Sequence, residues 1–298
     1  MRAYLGSMTD YHICRYQNRL EHRPLFKRGG IVYVFLSAFF SGIVAILATL
    51  AIERLGGKYG GILASIPTTI IPASVGFWLT ADGLEDFRDS LYIVPVGMLI
   101  NALFLLLWRV VPPKLPQISL NGQLALMSVI GLSGWAICAA LCIGALQLGV
   151  ISPLMEGGLS FGVAIALGLW ATSNAPPTPK GSRKVSLLML LSRGALAATA
   201  VGFAVFLSSL GIAILAGMAS VFPAIFLTTM VSVWLAQGHS VQAGAVGPMM
   251  LGSSSVSGYA LLCAWFFPLL GPSLGALAAW VLSVVTCSGL ALWWMRQK

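Results

Sequence analysis

Residues 60–79 read GGILASIPTTIIPASVGFWL, and residues 216–235 read AGMASVFPAIFLTTMVSVWL. Laid one on the other without a gap, at an offset of 156, they place Gly61 on Gly217, Pro67 on Pro223, Trp78 on Trp234 and Leu79 on Leu235. Glycine and leucine match cheaply in an apolar chain. A shared Pro-to-Trp spacing does not, and self-similarity at a fixed offset is a signal of fold. A following loop three residues shorter brings Pro95 onto Pro248 and Asn101 onto Ser254. The chain reads as two related units.

Composition says where those units live. Of 298 residues, 58% are hydrophobic and only 8% charged, with a mean hydropathy of +0.92. A soluble domain carries about 25% charged residues, so a water-soluble globule is excluded. Disorder, which needs low hydrophobicity and high charge, is excluded too. Apolar segments lie at about 31–52, 60–80, 90–111, 121–148, 157–173, 187–209, 212–236, 243–267 and 271–295. They are far longer than the ~10-residue alternating strands of a membrane barrel. Most reach the ~20 residues that span a bilayer as a helix. The expected fold is all-α, a polytopic membrane protein of about nine transmembrane helices.

The net charge of +9 does not point to nucleic acid. The basic residues fall in the N-terminal tail and in short loops between apolar runs, where they set membrane orientation. The tail, residues 1–28, holds six basic and two acidic residues and no apolar core of a signal peptide. Its charges favour a cytoplasmic N-terminus. The loop charges, among them Arg54, Lys58, Arg109, Lys114, Lys180, Arg183 and Lys184, favour the opposite arrangement with a cytoplasmic C-terminus. The five cysteines form no disulfide framework, and Cys138 and Cys142 read as small packing residues.

The expected organisation is a polar basic tail at 1–28, a four-helix repeat at 29–149, a linking transmembrane helix at 150–176 and a second four-helix repeat at 177–298. Parity then matters. A four-helix unit begins and ends on the same side of the membrane, so one intervening helix turns the second unit upside down. Such inverted repeats are typical of secondary transporters, with the site near the midplane at the repeat interface.

The stretch GGILASIPTTIIPASVGFWLTADGLEDFRDSLYIVPVGM, residues 60–98, resembles the core of the GlpM-like family of small bacterial inner-membrane proteins. The shared features are a glycine followed six residues later by proline, a polar loop with Glu and Arg, and a following helix that contains proline. The second unit keeps GMASVFP but has Gln237-Gly238-His239-Ser240 in place of the acidic loop. The resemblance implies an inner-membrane, four-helix unit able to work as an antiparallel pair, here fused into one chain. It implies no substrate.

Candidate site residues follow from where polar chemistry interrupts apolar runs. Pro67, Pro72, Pro223 and Pro248 each remove a backbone donor and free a carbonyl, which lipid cannot satisfy. Broken helices at matched positions of two halves point to a binding site, and Pro67 and Pro223 are such a pair. Thr68 and Thr69 follow the first proline and Thr228 and Thr229 the second; their hydroxyls can contact a ligand or bond back to the helix. Asn101 is an amide in an apolar run and needs partners. Ser254 and Ser255 lie in GSSSVSGYALL and form a hydroxyl-lined wall opposite Asn101 or a small-residue helix contact. Arg193, inside LLMLLSRGALAATA, either snorkels toward the Lys180–Lys184 loop or is a fixed cation at the site. Trp78 and Trp234 end their helices and are expected at the two membrane interfaces, ring in lipid and N–H in water.

Enzymatic signatures are missing: no HExxH, no phosphate-binding glycine loop, and histidines only in the tail and in the expected loop at His239. The expected function is secondary transport of a small solute by alternating access. A non-transporting membrane scaffold or assembly subunit is the alternative. No catalytic residue, cofactor or metal site is expected. The expected partners are the lipid bilayer and a small-molecule or ion substrate, with a homodimer also compatible and no nucleic acid.

Overall fold

The computed structural model describes residues 30–55, 66–148, 151–174 and 187–296. The tail at 1–28, Gly61 and the Lys180–Lys184 loop lie outside the described residues. Among those described, the regular elements are helical throughout. In chain order they are α1 (Gly30–Leu55), α2 (Ile70–Thr80), α3 (Leu84–Tyr92), α4 (Val94–Val110), α5 (Leu120–Gln147), α6 (Pro153–Ser173) and α7 (Leu187–Ser209). Then come α8 (Ala213–Ser220), α9 (Ala224–Gln237), α10 (His239–Gly252), α11 (Ser254–Ser283) and, after one turn of π-helix, α12 (Gly289–Arg296).

Seven helical stretches are long and apolar enough to cross a bilayer, and α2 is a shorter apolar helix. The last stretch runs 56 residues, His239–Trp294, far more than the ~20 that one crossing needs. It is divided at Gly271, whose φ of 75° breaks the helix between Pro268 and Pro272. The distribution of polarity is inside out. Phe35, Leu188 and Leu269 are exposed, while Ser74, Ser90, Asn101, Gln242 and Ser255 are buried. Water would not tolerate so much exposed apolar surface; hydrocarbon does. The chain is a multi-pass membrane protein.

Local sequence explains the breaks. Pro67 precedes α2 and Pro223 is the N-cap of α9, with φ −73° and ψ 29°. Both prolines punctuate a helix start, where a missing N–H is harmless. Pro95 opens α4, whereas Pro248 lies inside α10. Two prolines aligned in sequence thus do different structural work. The α3–α4 junction at Ile93 (φ −79°, ψ −17°) and the α10–α11 junction at Ser253 (φ −67°, ψ −12°) are alike, each a slight interruption of a nearly continuous helix. Gly238 makes the tight α9–α10 turn in the left-handed region, φ 86°, a conformation that only glycine adopts at no cost.

Two packing arrangements organise the bundle. The first is the seam between α1 and α7. A methyl group added at Gly202 would lie 2.9 Å from the Cβ of Ala38, one at Gly42 would lie 3.2 Å from the Cβ of Ala198, and one at Gly194 would lie 2.7 Å from Ile46. As the position rises along α1 it falls along α7, so the helices run antiparallel. Small residues let their backbones approach closely, as membrane helix interfaces require. The second is the seating of α6, which packs on α3, α4, α10 and α11. Gly157 near its start lies against the Tyr92 carbonyl, and Gly168 near its end lies against Leu251, 2.9 Å from an added methyl to the Leu251 Cα. One helix is thereby wedged at both junctions.

Candidate functional site

Asn101 is the most informative of the expected site residues. It is 1% exposed. Its amide nitrogen donates to the Val221 carbonyl at 2.8 Å, with Met98 Sδ at 3.6 Å, and its Oδ1 accepts from Trp135 Nε1 at 2.8 Å. Val221 is at the C-terminal end of α8, just before Pro223. The carbonyl stranded by the second break is therefore satisfied by a side chain of the first half of the chain. One of the two readings of the serine stretch set Ser254 opposite Asn101; the hydrogen bonds of Asn101 join α4 to the α8–α9 break and to α5.

The serines of the α10–α11 junction turn inward on their own backbone. Ser253 donates to Met250 O at 2.9 Å, Ser254 to Leu251 O at 2.7 Å and Ser255 to Gly252 O at 3.0 Å. All three are buried, and their hydroxyls satisfy the carbonyls at the end of α10. Thr228 and Thr229 do the same, donating to Ala224 O and Ile225 O at 2.9 and 2.7 Å. Thr68 and Thr69 are half-buried at the entry to α2, where the Thr68 carbonyl accepts from Ile71 N at 3.4 Å. Pro67 and Pro223 are both buried.

Arg193 is 8% exposed and donates through Nη2 to Ser232 Oγ at 3.2 Å, which ties α7 to α9. The sequence left it between snorkelling toward the Lys180–Lys184 loop and serving as a fixed cation at the site; in the structure it is buried against Ser232, and that loop lies outside the described residues. The positions 156 residues earlier are Ser37 and Gly76, and they also meet: a methyl at Gly76 would lie 2.6 Å from Ser37 Oγ. At an offset of 156, a Ser–Gly contact in the first half of the chain stands against an Arg–Ser contact in the second.

One expectation is overturned. Trp234 does not sit at a lipid–water interface: it is 6% exposed and its ring is packed edge-on against Trp108, centroids 6.0 Å apart, and tilted against His239 at 5.5 Å. The physical reason is tertiary. Gly238 turns α10 back along α9, and α4 covers the end of α9, so the helix end is enclosed. His239, expected in a loop, is the first residue of α10. Trp78 is only half-buried and packs edge-on against Phe87 and Phe267, at 5.0 and 5.9 Å.

Sequence reasoning missed two polar clusters. Ser74 Oγ and Tyr259 OH lie 2.9 Å apart between α2 and α11, both fully buried. Gln242, on α10, donates to Met230 Sδ of α9 at 3.0 Å and is fully buried as well. Ser74 is a single polar residue in an apolar run and Gln242 lies at the edge of one, weak signals unless the partner across the bundle is known. Comparisons with protein-family models, with curated proteins and with solved structures find no match to this chain.

Proposed function

We propose that the chain is an inner-membrane secondary transporter of a small solute. It works by alternating access between two inverted four-helix units. The observation that carries the reading is the α1–α7 seam. Gly42 and Ala198, which face each other, are themselves 156 residues apart, the offset of the sequence repeat. The flanking contacts, Ala38 with Gly202 and Ile46 with Gly194, exchange under the same offset. Contacts that exchange in this way are the mark of an isologous two-fold interface. Antiparallel partners put such an axis across the helices, in the membrane plane, the geometry of inverted-repeat transporters. The two glycine seats on α6, at Gly157 and Gly168, support it further, as do Trp78 and Trp234, each of which packs on an aromatic of the other half.

The resemblance to GlpM-like proteins supports the inner membrane and the four-helix unit. No residue of the site is assigned a catalytic role, and the ligand is held near Pro67, Thr68, Thr69, Asn101, Arg193, Pro223, Ser254 and Ser255. The second reading, a non-transporting scaffold, draws on one observation: Asn101, Ser254 and the Thr228–Thr229 pair use hydrogen-bonding groups within the bundle. The experiment that separates the two is flux into proteoliposomes, with a panel of labelled metabolites and the Asn101→Ala and Ser254→Ala variants. A transporter accumulates or exchanges at least one solute, and the variants slow it. Flux indistinguishable from empty liposomes across the panel selects the scaffold.

A further inference from the structure

Two buried hydrogen bonds cross between the halves of the chain. α4 follows the junction at Ile93, and α11 follows the junction at Ser253. Each of these helices carries one donor that reaches a proline-led helix of the other half. From α4, Asn101 Nδ2 donates to the Val221 carbonyl at 2.8 Å, just before the Pro223 cap of α9. From α11, Tyr259 OH lies 2.9 Å from Ser74 Oγ on α2, the helix that Pro67 precedes. Ser74 Oγ itself donates to the Ile71 carbonyl at 2.9 Å, so it accepts from Tyr259. In both ties the helix after the junction donates and the proline-led side accepts. The helices so held, α2 and α9, lie in the two stretches that the offset of 156 lays on each other.

Each tie is built into its surroundings. Asn101 Oδ1 accepts from Trp135 Nε1 at 2.8 Å, and the Trp135 ring stands edge-on to Phe222, centroids 5.4 Å apart. A methyl at Gly97 would run into the Val221 side chain, and one at Gly217 into the Ser90 carbonyl and Ile93. The α8–α9 break is thus seated on the α3–α4 junction and pinned there by Asn101. Ser74 and Tyr259 are fully buried, so their bond is made without water. The break itself is a ready hinge. Val221 (φ −111°, ψ 20°) and Pro223 (φ −73°, ψ 29°) are already outside helical geometry, and element-terminal residues of this kind absorb the dihedral changes of a moving helix. A single hydrogen bond between membrane helices is weak. It biases a two-state balance, and its loss moves that balance without dismantling the bundle.

We propose that Asn101 and Tyr259 are two latches, each holding the proline-led helix of the opposite half, and that access from either side of the membrane comes with the release of one latch while the other stays closed. The proposal rests on the two-unit transport reading and names its moving parts. Both bonds are formed in the structure, the arrangement of an occluded state. Two latches follow from two units, since each unit contributes one helix that must move and one donor that holds its counterpart. Their chemistry differs, amide to carbonyl in one and hydroxyl to hydroxyl in the other, so the two can be weakened separately. Asn101 and Tyr259 act here as positioning residues, and Trp135 acts through Asn101.

The test is pulsed electron-spin distance measurement on the full chain in lipid nanodiscs, with the buried Cys263 kept and the other cysteines replaced by alanine. One nitroxide pair, Leu79→Cys with Leu269→Cys, reports α2 against α11. The other, Leu235→Cys with Val110→Cys, reports α9 against α4; all these positions are exposed. Tyr259→Phe is expected to raise the longer-distance fraction of the first pair about threefold, the ratio that an interhelical bond of average strength supplies, and not to raise it in the second. Asn101→Ala is expected to do the converse. Trp135→Phe, which removes only the brace, should move the second pair in the same direction by less, and it carries this arm where Asn101→Ala does not fold. Loosened packing without latches would raise both pairs together. A rise at both pairs, or no change at the variant's own pair, overturns the proposal. Selective release without proteoliposome flux keeps the latches and removes transport; flux with distances that neither variant shifts does the reverse.

Discussion

Gly42 on α1 and Ala198 on α7 meet across an antiparallel seam, close enough that a methyl at residue 42 would lie 3.2 Å from the Ala198 Cβ. They are also 156 residues apart, the offset that lays residues 60–79 on residues 216–235. That coincidence is the support for the proposed two-fold relation between the halves.

Cross-linking checks the direction of that seam. In a cysteine-free background, the pairs Ala38→Cys with Gly202→Cys and Ile46→Cys with Gly194→Cys are expected to oxidise to disulfides. The pair Ala38→Cys with Gly194→Cys is not, because antiparallel packing separates those positions by about two turns at 1.5 Å per residue. Mobility shift after proteolysis between the halves reads the result. A cross-link in the last pair alone would mean parallel helices.

The wedge of α6 gives a paired prediction on adjacent residues. A methyl at Gly157 meets the backbone carbonyl of Tyr92, whereas one at Gly158 meets nothing within 4 Å. Gly157→Ala is expected to destabilise the protein by about 1–3 kcal/mol, the range of overpacking. Gly158→Ala is expected to be neutral or slightly stabilising, since alanine is the better helix former. Melting in detergent distinguishes them, and equal effects would remove the close approach from the account.

Asn101 and Trp135 should be energetically coupled through their 2.8 Å hydrogen bond. In a double-mutant cycle of Asn101→Ala and Trp135→Phe, the expected coupling is about 0.6 kcal/mol, with ~1.7 as the upper end for interhelical bonds in membranes. Asn101→Ala alone should cost more than Trp135→Phe, because it also strands the Val221 carbonyl, whose partner it is. Reversible unfolding in mixed micelles supplies the numbers.

Arg109 closes the C-terminal end of α6. It donates through Nη1 to the Ala171 carbonyl at 2.8 Å and through Nη2 to the Asn174 carbonyl. A cation there also opposes the negative end of the helix dipole. Arg109→Ala is expected to lower stability by about 1–2 kcal/mol, and Arg109→Lys to recover part of it, since a lysine cannot reach two carbonyls with one planar fork. Faster hydrogen exchange confined to the last turn of α6 would show that the loss is local.

Much of this was legible in the chain. Composition and run length determined that the protein is helical and membrane-spanning, because hydrocarbon accepts no unpaired backbone and a bilayer fixes how long each run must be. Several element ends were legible too: the apolar run at 187–209 coincides with α7, and the polar or glycine turns at Gly238 and Pro112-Pro113 mark where helices stop. What the sequence could not decide was which polar group answers which. One reading set Asn101 opposite Ser254, but its hydrogen bonds go to Val221 and Trp135, which only the packing of α4 against α8 and α5 brings near. Trp234 looked interfacial because it ends a helix; the turn at Gly238 and the cover provided by α4 make it interior. In a membrane the hydrophobic pattern no longer separates inside from outside, since lipid and core are equally apolar. Small residues and hydrogen bonds choose the neighbours instead, and those choices are written between helices, not along them.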